Sequence, residues 1–515
     1  MRNITASQAE TAAAIQSPRI NHRWWILLTF AAIAYLYFLL FLLSHTPVLL
    51  GGDQAFFWMY AQRMFGGQHV YRDFFQFTPP GADLVYLALF RIFGLRVWVT
   101  NAADLALGVA LCWACFAVAE EIVQPYFASV ATFLFLTVIY GRLLNGTHHL
   151  FSVLMVLCAV KVGMRSRTPH ALLLVGCLLG LASFFTQTRG TMALIAFAAF
   201  LLWSSWRETK DWRFLMSQYA ALGCAFAGTL LLLNALFIGS VGMRELWYFQ
   251  ITYVRTHMVH GPGTWSLGLP FSRGKLPQLA AYLGIYMLVP VTYTVAFVRL
   301  WQKRKRGDLR LDNVLLLALV GSSLFLEVAF SLNWLRLFAV AMPAMILLLW
   351  IVEQMGRVRQ YGLALLWFLI AGIAIHQAWA AQRGNHAVVT TPGGEVAVSS
   401  SKSDELRWLV QRTQPGQFLF EAGGPGFSLP LQVRSPVFID EIHANSESEP
   451  KYVLAAVREL ESTRTPFVVW PSRLYDADDP TAARAIAFFR VYLEKRYYRS
   501  QVFPSGDEVW ERKPD

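Results

Sequence analysis

Residues 51–81, GGDQAFFWMYAQRMFGGQHVYRDFFQFTPPG, lie directly after the hydrophobic run 24–43. Asp53 falls just past the end of that run, Asp73 follows in Tyr71-Arg72-Asp73-Phe74, and the stretch closes on Thr78-Pro79-Pro80-Gly81. Carboxylates on an aromatic-rich loop at a membrane surface add little to folding, because an exposed ion pair is worth only about 0–1 kcal/mol. They are suited instead to acid–base or metal chemistry on a substrate delivered from the bilayer.

The composition supplies that bilayer. Of 515 residues, 56% are hydrophobic and 15% charged, and the mean hydropathy is +0.43, a balance of polytopic membrane proteins and not of soluble enzymes. The formal charge is +12, but the basic residues fall mostly in short loops between apolar runs. Topology explains them, and no nucleic-acid partner is expected. Cys112, Cys115, Cys158, Cys177 and Cys224 all sit in apolar segments. The Cys112/Cys115 spacing lacks a second half-site, so both read as small buried hydrophobes, and no disulfide framework is available. Residues 1–17 are polar and lack the pattern of a cleaved leader, so 24–43 reads as a retained anchor.

Apolar runs of spanning or near-spanning length recur at 24–43, 97–119, 126–141, 148–163, 170–186, 190–203, 215–239, 277–300, 313–330, 332–352 and 360–381. They predict about 11 transmembrane helices. Lys161/Arg165/Arg167, Arg207/Lys210/Arg213, Lys303/Arg304/Lys305/Arg306/Arg310 and Arg357/Arg359, with Arg19 and Arg23, mark the cytoplasmic face. Counting forward from Arg19/Arg23 and back from 161–167 agrees only if 82–94 does not cross. That segment is shorter than the roughly 20 residues of a span and carries Asp83 and Arg91. It reads as a helix on the outer membrane surface, within a first outer loop of 44–96. Residues 1–23 are then a cytoplasmic tail, 24–382 a transmembrane module and 383–515 an outer domain.

In that last part Gly, Pro, Ser and charges rise. Helix-like segments at 403–412, 451–462 and 481–495 alternate with strand-like ones at 418–420, 437–439, 467–470, 500–503 and 509–512. The alternation predicts a small soluble α/β domain. Gly423-Gly424-Pro425-Gly426 is followed by proline-interrupted sequence, so it is not a nucleotide fingerprint.

Candidate site residues follow from this layout. Asp53 comes after Gly51-Gly52, which free the backbone, and before Phe56, Phe57, Trp58 and Tyr60, apolar walls that raise a carboxylate toward the range of a general base. An Asp before Gln-Ala-Phe-Phe is also a natural helix N-cap. Asp73 either joins the chemistry or pairs with Arg72 or Arg63. Tyr71, Arg72 and the Pro79-Pro80-Gly81 turn shape the loop. In the second outer loop Arg142 precedes His148 and His149, readable as metal ligands or polar contacts, or as interfacial tips. Adjacent histidines on a helix point about 100° apart, so at most one is expected to face the site. Arg189 and Arg336 stand at outer ends of spans, where arginine is expensive and its planar fork suits phosphate oxygens; snorkelling to headgroups is the alternative. Arg255, His257 and His260 lie in the outer loop 242–275, and Glu327 reads as a polar contact between helices.

The first-loop motif resembles the first outer loop of the polyprenyl-phosphate-sugar-dependent glycosyltransferases. These form the GT-C fold group, which includes protein O-mannosyltransferases and the lipid A aminoarabinose transferase. The resemblance covers the membrane part and, more loosely, the tail ending in Val509-Trp510-Glu511-Arg512. It implies a GT-C-like polytopic helical membrane protein with outer-surface juxtamembrane helices and a C-terminal α/β domain. It implies an enzyme that moves a hexosyl or pentosyl group, with inversion, from a polyprenyl-phosphate-linked donor to a lipid, glycan or protein acceptor. The place implied is the outer face of a bacterial-type cytoplasmic (inner) membrane. Asp53 and Asp73 would be catalytic, and Arg336, Arg189, Arg142, His148, Tyr71, Arg72, Arg255 and His257 would bind substrate. The cofactor candidate is a divalent metal cation, with Asp53 and His148 as ligands. The chain departs from the family in the second loop, where Thr147-His148-His149 stands in place of an acidic residue after the arginine. A transporter or flippase of lipid-linked glycans is the competing class, disfavoured by the lack of an internal repeat; an inactive relative is the third.

The topology has a direct check. With cysteines introduced by Ser400→Cys or Gln302→Cys, a membrane-impermeant thiol reagent on intact cells should label position 400 and not 302. Labelling at 302 alone would invert the assignment.

Overall fold

The computed structural model describes residues 22–208, 211–258, 276–303, 308–329, 334–356, 358–384, 386–442, 449–475 and 480–514. Arg19, Lys210, His260, Arg304, Lys305, Arg306 and Arg357 lie outside the described residues.

In lipid every backbone polar group must be satisfied internally, so apolar runs fold as helices. Among the described residues, eight are long and apolar enough to cross a membrane: His22–Leu40, Val97–Ala119, Pro125–Leu143, His148–Arg165, Gln187–Arg207, Trp212–Val241, Leu309–Val328 and Arg359–Arg383. Pro169–Phe185 and Met342–Glu353 are shorter apolar helices, and Leu276–Gln302 runs for 27 residues. Over its described residues each apolar run is largely helical, except that 332–352 carries two helices, Trp334–Val340 and Met342–Glu353, in place of one. Gly81–Phe93 has 13 residues, about 20 Å at the α-helical rise, too short for a core of roughly 30 Å. It packs on Gln54–Phe65 instead. Its start requires glycine: a Cβ at Gly81 would lie 2.7 Å from the Phe184 carbonyl oxygen.

Charge gathers at one end of the bundle. Lys161 reaches Glu120 at 3.2 Å and Glu121 at 2.6 Å, Arg165 joins Glu121 at 3.0 Å, and Arg310 pairs with Glu353. The first loop and the strands occupy the other end. Strands β1 (His386–Thr391) and β2 (Gly394–Ser399) form an antiparallel hairpin, tied to the loop by Leu49 N–H donating to the Ala397 carbonyl at 2.8 Å. The sequence carried this hairpin's signal, Thr391-Pro392-Gly393-Gly394 between alternating apolar residues, although no strands were expected there. Strands β3 (Leu419–Glu421), β4 (Phe467–Trp470), β5 (Tyr497–Val502) and β6 (Glu508–Arg512) form a sheet ordered β3-β4-β6-β5, with β3 and β4 parallel and the other pairs antiparallel.

Alternation along the strands separates two cores. Phe420, Val468 and Trp470 pack with Leu460, Phe489 and Leu493. On the opposite face Leu419, Phe467 and Val469 join Leu406, Leu409 and the first-loop residues Phe57, Trp58 and Phe74. Loop and sheet thus share one hydrophobic core.

Residues 437–439, expected as a strand, form an irregular plug instead. Their backbone groups are spent elsewhere: Phe75 N–H donates to the Phe438 carbonyl at 2.7 Å, Arg63 Nη1 to the Val437 carbonyl at 2.9 Å, and Phe438 N–H to Glu459 at 2.9 Å. Beside the plug, Tyr60 donates to buried Asp440, and Gln62 Nε2 donates to the Val433 carbonyl at 2.9 Å.

These contacts make stability depend on pH. Burial pushes the Asp440 carboxyl up to about 7, against the opposing pulls of Arg63 and Tyr60. Burial, with Asp507 and Glu421 nearby, pushes Glu405 up to about 8, and burial holds Asp83 well above the usual range. A carboxyl raised in the folded state binds more protons folded than unfolded, so stability falls as pH rises between the two values. The melting temperature in detergent should therefore fall from about pH 5 to about pH 8. Asp440→Asn, which keeps an acceptor for Tyr60, should flatten the slope; an unchanged slope would remove Asp440 as a cause.

Candidate functional site

Asp53 stands at the start of helix Gln54–Phe65 with helical backbone angles, φ −57° and ψ −29°, and its side chain makes no capping hydrogen bond. Gly52, at φ +78°, provides the left-handed turn that places it. The carboxylate opens to solvent on one side and is crowded by protein on the others. Burial raises its pKa above the usual carboxylate range, while the Arg336 guanidinium pulls it down.

Gln54 fixes where Asp53 looks. Its Nε2 donates to the Leu144 carbonyl at 2.9 Å, and its Oε1 accepts from Gly146 N–H at 3.0 Å. The first loop is thereby locked to the second, where His148 opens the helix His148–Arg165. The His148 ring lies 5.2 Å from that of Phe57 and 4.0 Å from that of His149. Both histidines have a buried Nδ1 without a hydrogen-bond partner among the described residues. Thr147, the N-cap, makes no side-chain capping bond.

Arg189 is fully buried at the start of helix Gln187–Glu208. Its Nη1 donates to the His149 carbonyl at 2.8 Å and to Ser152 Oγ at 3.0 Å, and its Nε lies 3.3 Å from Glu327. Glu327 also accepts from Thr188 Oγ1 at 2.6 Å, so it does form a polar contact between helices. Arg189 Nη2 is buried with no partner among the described residues. Arg336, on helix Trp334–Val340, acts electrostatically on Asp53, His148 and His149. Asp53, His148, Arg189 and Arg336 are thus brought together. The helices Gln54–Phe65, His148–Arg165 and Gln187–Glu208 start here too, and unsatisfied N–H groups at helix starts favour anions.

The other candidates lie apart from this cluster. Asp73 bonds Arg72 at 2.9 and 3.0 Å and accepts from His69 N–H at 2.7 Å; the Arg72 guanidinium holds its carboxyl below the usual range. Tyr71 is buried, stacked 5.6 Å from Phe249, and donates to the Thr78 carbonyl at 2.9 Å. Arg142 is exposed beside left-handed Leu144. His257 stacks on Tyr253 at 4.5 Å and lies 3.9 Å from Glu449, while Arg255 is exposed on the same helix, Tyr248–Met258. That helix docks on the strand-bearing part through Tyr248, which donates to Glu449 at 2.6 Å. Gln54 is the cluster member that the sequence did not single out. Among the described residues no group of three or more His, Cys, Asp or Glu side chains could hold a metal ion. Asp53 and His148 alone do not make a cation cage.

No protein-family model matches the chain, and no curated protein matches its sequence. Solved structures match its fold. ArnT from Cupriavidus metallidurans bound to undecaprenyl phosphate is 13% identical, with 96% of this chain and 100% of that chain covered and a TM-score of 0.63. The same protein in the apo state is 14% identical, with 96% and 99% covered and a TM-score of 0.61. The Archaeoglobus fulgidus oligosaccharyltransferase in the apo form is 12% identical, with 96% and 75% covered and a TM-score of 0.52. The chain has the GT-C fold: a polytopic helical membrane protein with a small C-terminal region of mixed strands and helices.

The buried ion pair generates a stability test. Arg189→Met leaves Glu327 unpaired and should destabilise by about 3–5 kcal/mol. Adding Glu327→Gln should recover part of that loss in thermal or chemical unfolding. A single variant as stable as the wild type would show that the pair does not hold the cluster.

Proposed function

We propose that the protein is a membrane glycosyltransferase that moves a sugar from a polyprenyl-phosphate-linked donor to an acceptor, with inversion. The observation that carries the reading is the convergence of Asp53 with Arg189 and Arg336 at helix starts on one end of the bundle. A base and an anion site side by side are what sugar transfer from a lipid phosphate needs, and no nucleotide site is required.

In this mechanism Asp53 accepts the proton of the acceptor hydroxyl or amide as its heteroatom attacks the anomeric carbon. The bond from that carbon to the phosphate oxygen breaks on the opposite face, and its electron pair leaves with the phosphate. One displacement inverts the anomeric centre, as in single-step glycoside chemistry. The leaving polyprenyl phosphate gains one negative charge, which Arg336, Arg189 Nη2 and the helix-start N–H groups are placed to stabilise. A carboxyl raised by burial is a stronger base than an ordinary aspartate. His148 lines the same space as a polar contact. Asp73, with Arg72 and Tyr71, shapes the loop; Arg142 would meet the acceptor from the surface, and Arg255 and His257 would lie over the lipid donor.

The ArnT structure with undecaprenyl phosphate supports the donor class, and the oligosaccharyltransferase likeness supports glycosyl transfer. The acceptor is a lipid, glycan or protein. The basic end of the bundle supports a cytoplasmic N-terminus, with the region from 383 to 515 outside a bacterial-type cytoplasmic membrane.

Purified protein in nanodiscs, given a polyprenyl-phosphate sugar, tests the assignment of the base. Asp53→Asn should lower turnover by about 10²–10⁴-fold while still accumulating and binding polyprenyl phosphate; Asp73→Asn should be much milder. Wild-type turnover by Asp53→Asn would remove Asp53 from the mechanism. Mass spectrometry of envelope glycans with and without the gene identifies sugar and acceptor.

A further inference from the structure

At the end of the bundle away from Asp53, three helices part around a concavity of about 460 Å³, within the roughly 300–1,000 Å³ of small-ligand pockets. It lies between the last turns of Gln187–Glu208, the last turns of Leu276–Gln302 and the first turns of Leu309–Val328. Phe297, Leu300, Leu311 and Leu315 form its apolar wall, while Arg207, Lys303 and Asp312 supply its charges.

Those charges do not balance. Arg207 Nη1 lies 2.8 Å from Asp312 Oδ1, and Arg167 Nη1 lies 3.4 Å from Asp312 Oδ2, so two guanidinium groups share one carboxylate. Lys303 Nζ bonds a neutral acceptor, Gln354 Oε1, at 2.5 Å. Of the lining charges, Arg207 and Lys303 outnumber Asp312, which Arg167 from outside the lining also shares, so the rim is left positive. The aromatic residues give its depth in the membrane: Trp206 is 81% exposed and Trp301 67% exposed, and Trp203 lies 4.7 Å beneath the Arg207 guanidinium. Exposed tryptophans beside cations belong at headgroup level, with rings against acyl chains and polar edges in water.

We infer that this concavity binds an anionic phospholipid. Its phosphate sits between Lys303 and Arg207, and the first methylenes of one acyl chain lie along Phe297 and Leu300. Basic pockets between transmembrane helices suit such headgroups. Asp312 orients Arg207 by taking both of its terminal nitrogens, at 2.8 and 3.4 Å. An ordinary aromatic belt would predict neither a preference for anionic headgroups nor sensitivity to the groove's volume. The site lies at the opposite end from Asp53 and does not depend on the glycosyltransferase reading.

The test uses the full-length protein in detergent, titrated with phosphatidylglycerol, with phosphatidylcholine of the same chains, or with undecaprenyl phosphate, and bound lipid read by native mass spectrometry. Phosphatidylglycerol should be retained in preference to phosphatidylcholine. Lys303→Gln should weaken its apparent affinity about fivefold. Leu300→Trp, which fills the groove, should remove one retained lipid at unchanged melting temperature. Equal retention of the two phospholipids, or phosphatidylglycerol binding unchanged in Lys303→Gln, would overturn the proposal. Displacement of phosphatidylglycerol by equimolar undecaprenyl phosphate would also overturn it, assigning the groove to an isoprenoid phosphate.

Discussion

The buried guanidinium of Arg189 is the point on which the arrangement at the first-loop end depends. A charge with no solvent exposure among apolar helices is tolerated only when its bonds are made within the protein. Glu327, the His149 carbonyl and Ser152 make them, from helices Leu309–Val328 and His148–Arg165. Those bonds hold three helices at one level, so that their ends, and not their middles, meet at the same place. The nitrogen left over, Nη2, is a donor already dehydrated by the fold.

Above that level the first loop is gripped from two sides. Gln54 ties the start of its helix to the second loop, and Gln62, Arg63 and Tyr60 tie its later turns to residues 433–440. Asp53 therefore sits on a helix clamped at both ends, although it is exposed to solvent itself. Such rigidity matters for a base, because misplacement by a fraction of an ångström costs rate. It also gives the strand-bearing region a mechanical part: through Phe438, packed against Phe75 and Tyr452, it closes over the loop's aromatic residues.

Much of this was legible in the sequence. Spanning helices declare themselves by the length of their apolar runs, and charge parity, the shortness of 82–94 and its Asp83 and Arg91 argue against a crossing there. Asp53 stood out as a carboxylate after a first span, framed by glycines and aromatics, and its side chain makes no capping bond in the structure. The Arg72–Asp73 pair was equally local. What was hidden was long-range. The carboxylate that meets Arg189 is 138 residues away in sequence, and Gln54 looks ordinary until its partners 90 and 92 residues on are known. An apolar triplet such as 437–439 is too short to tell a strand from a plug.

The central claim is that the Arg336 and Arg189 end of the bundle holds a lipid-linked phosphate beside Asp53. Equilibrium binding of polyprenyl phosphate to the purified protein tests it most directly, in wild type, Arg336→Lys and Arg336→Ala. The account predicts that lysine weakens binding despite keeping the charge, because an ammonium cannot make the bidentate contact. Alanine should weaken it further, by about 2–3 kcal/mol. Affinity unchanged in Arg336→Ala, or fully retained in Arg336→Lys, would contradict it and leave Arg336 as a residue that only reaches for the headgroups.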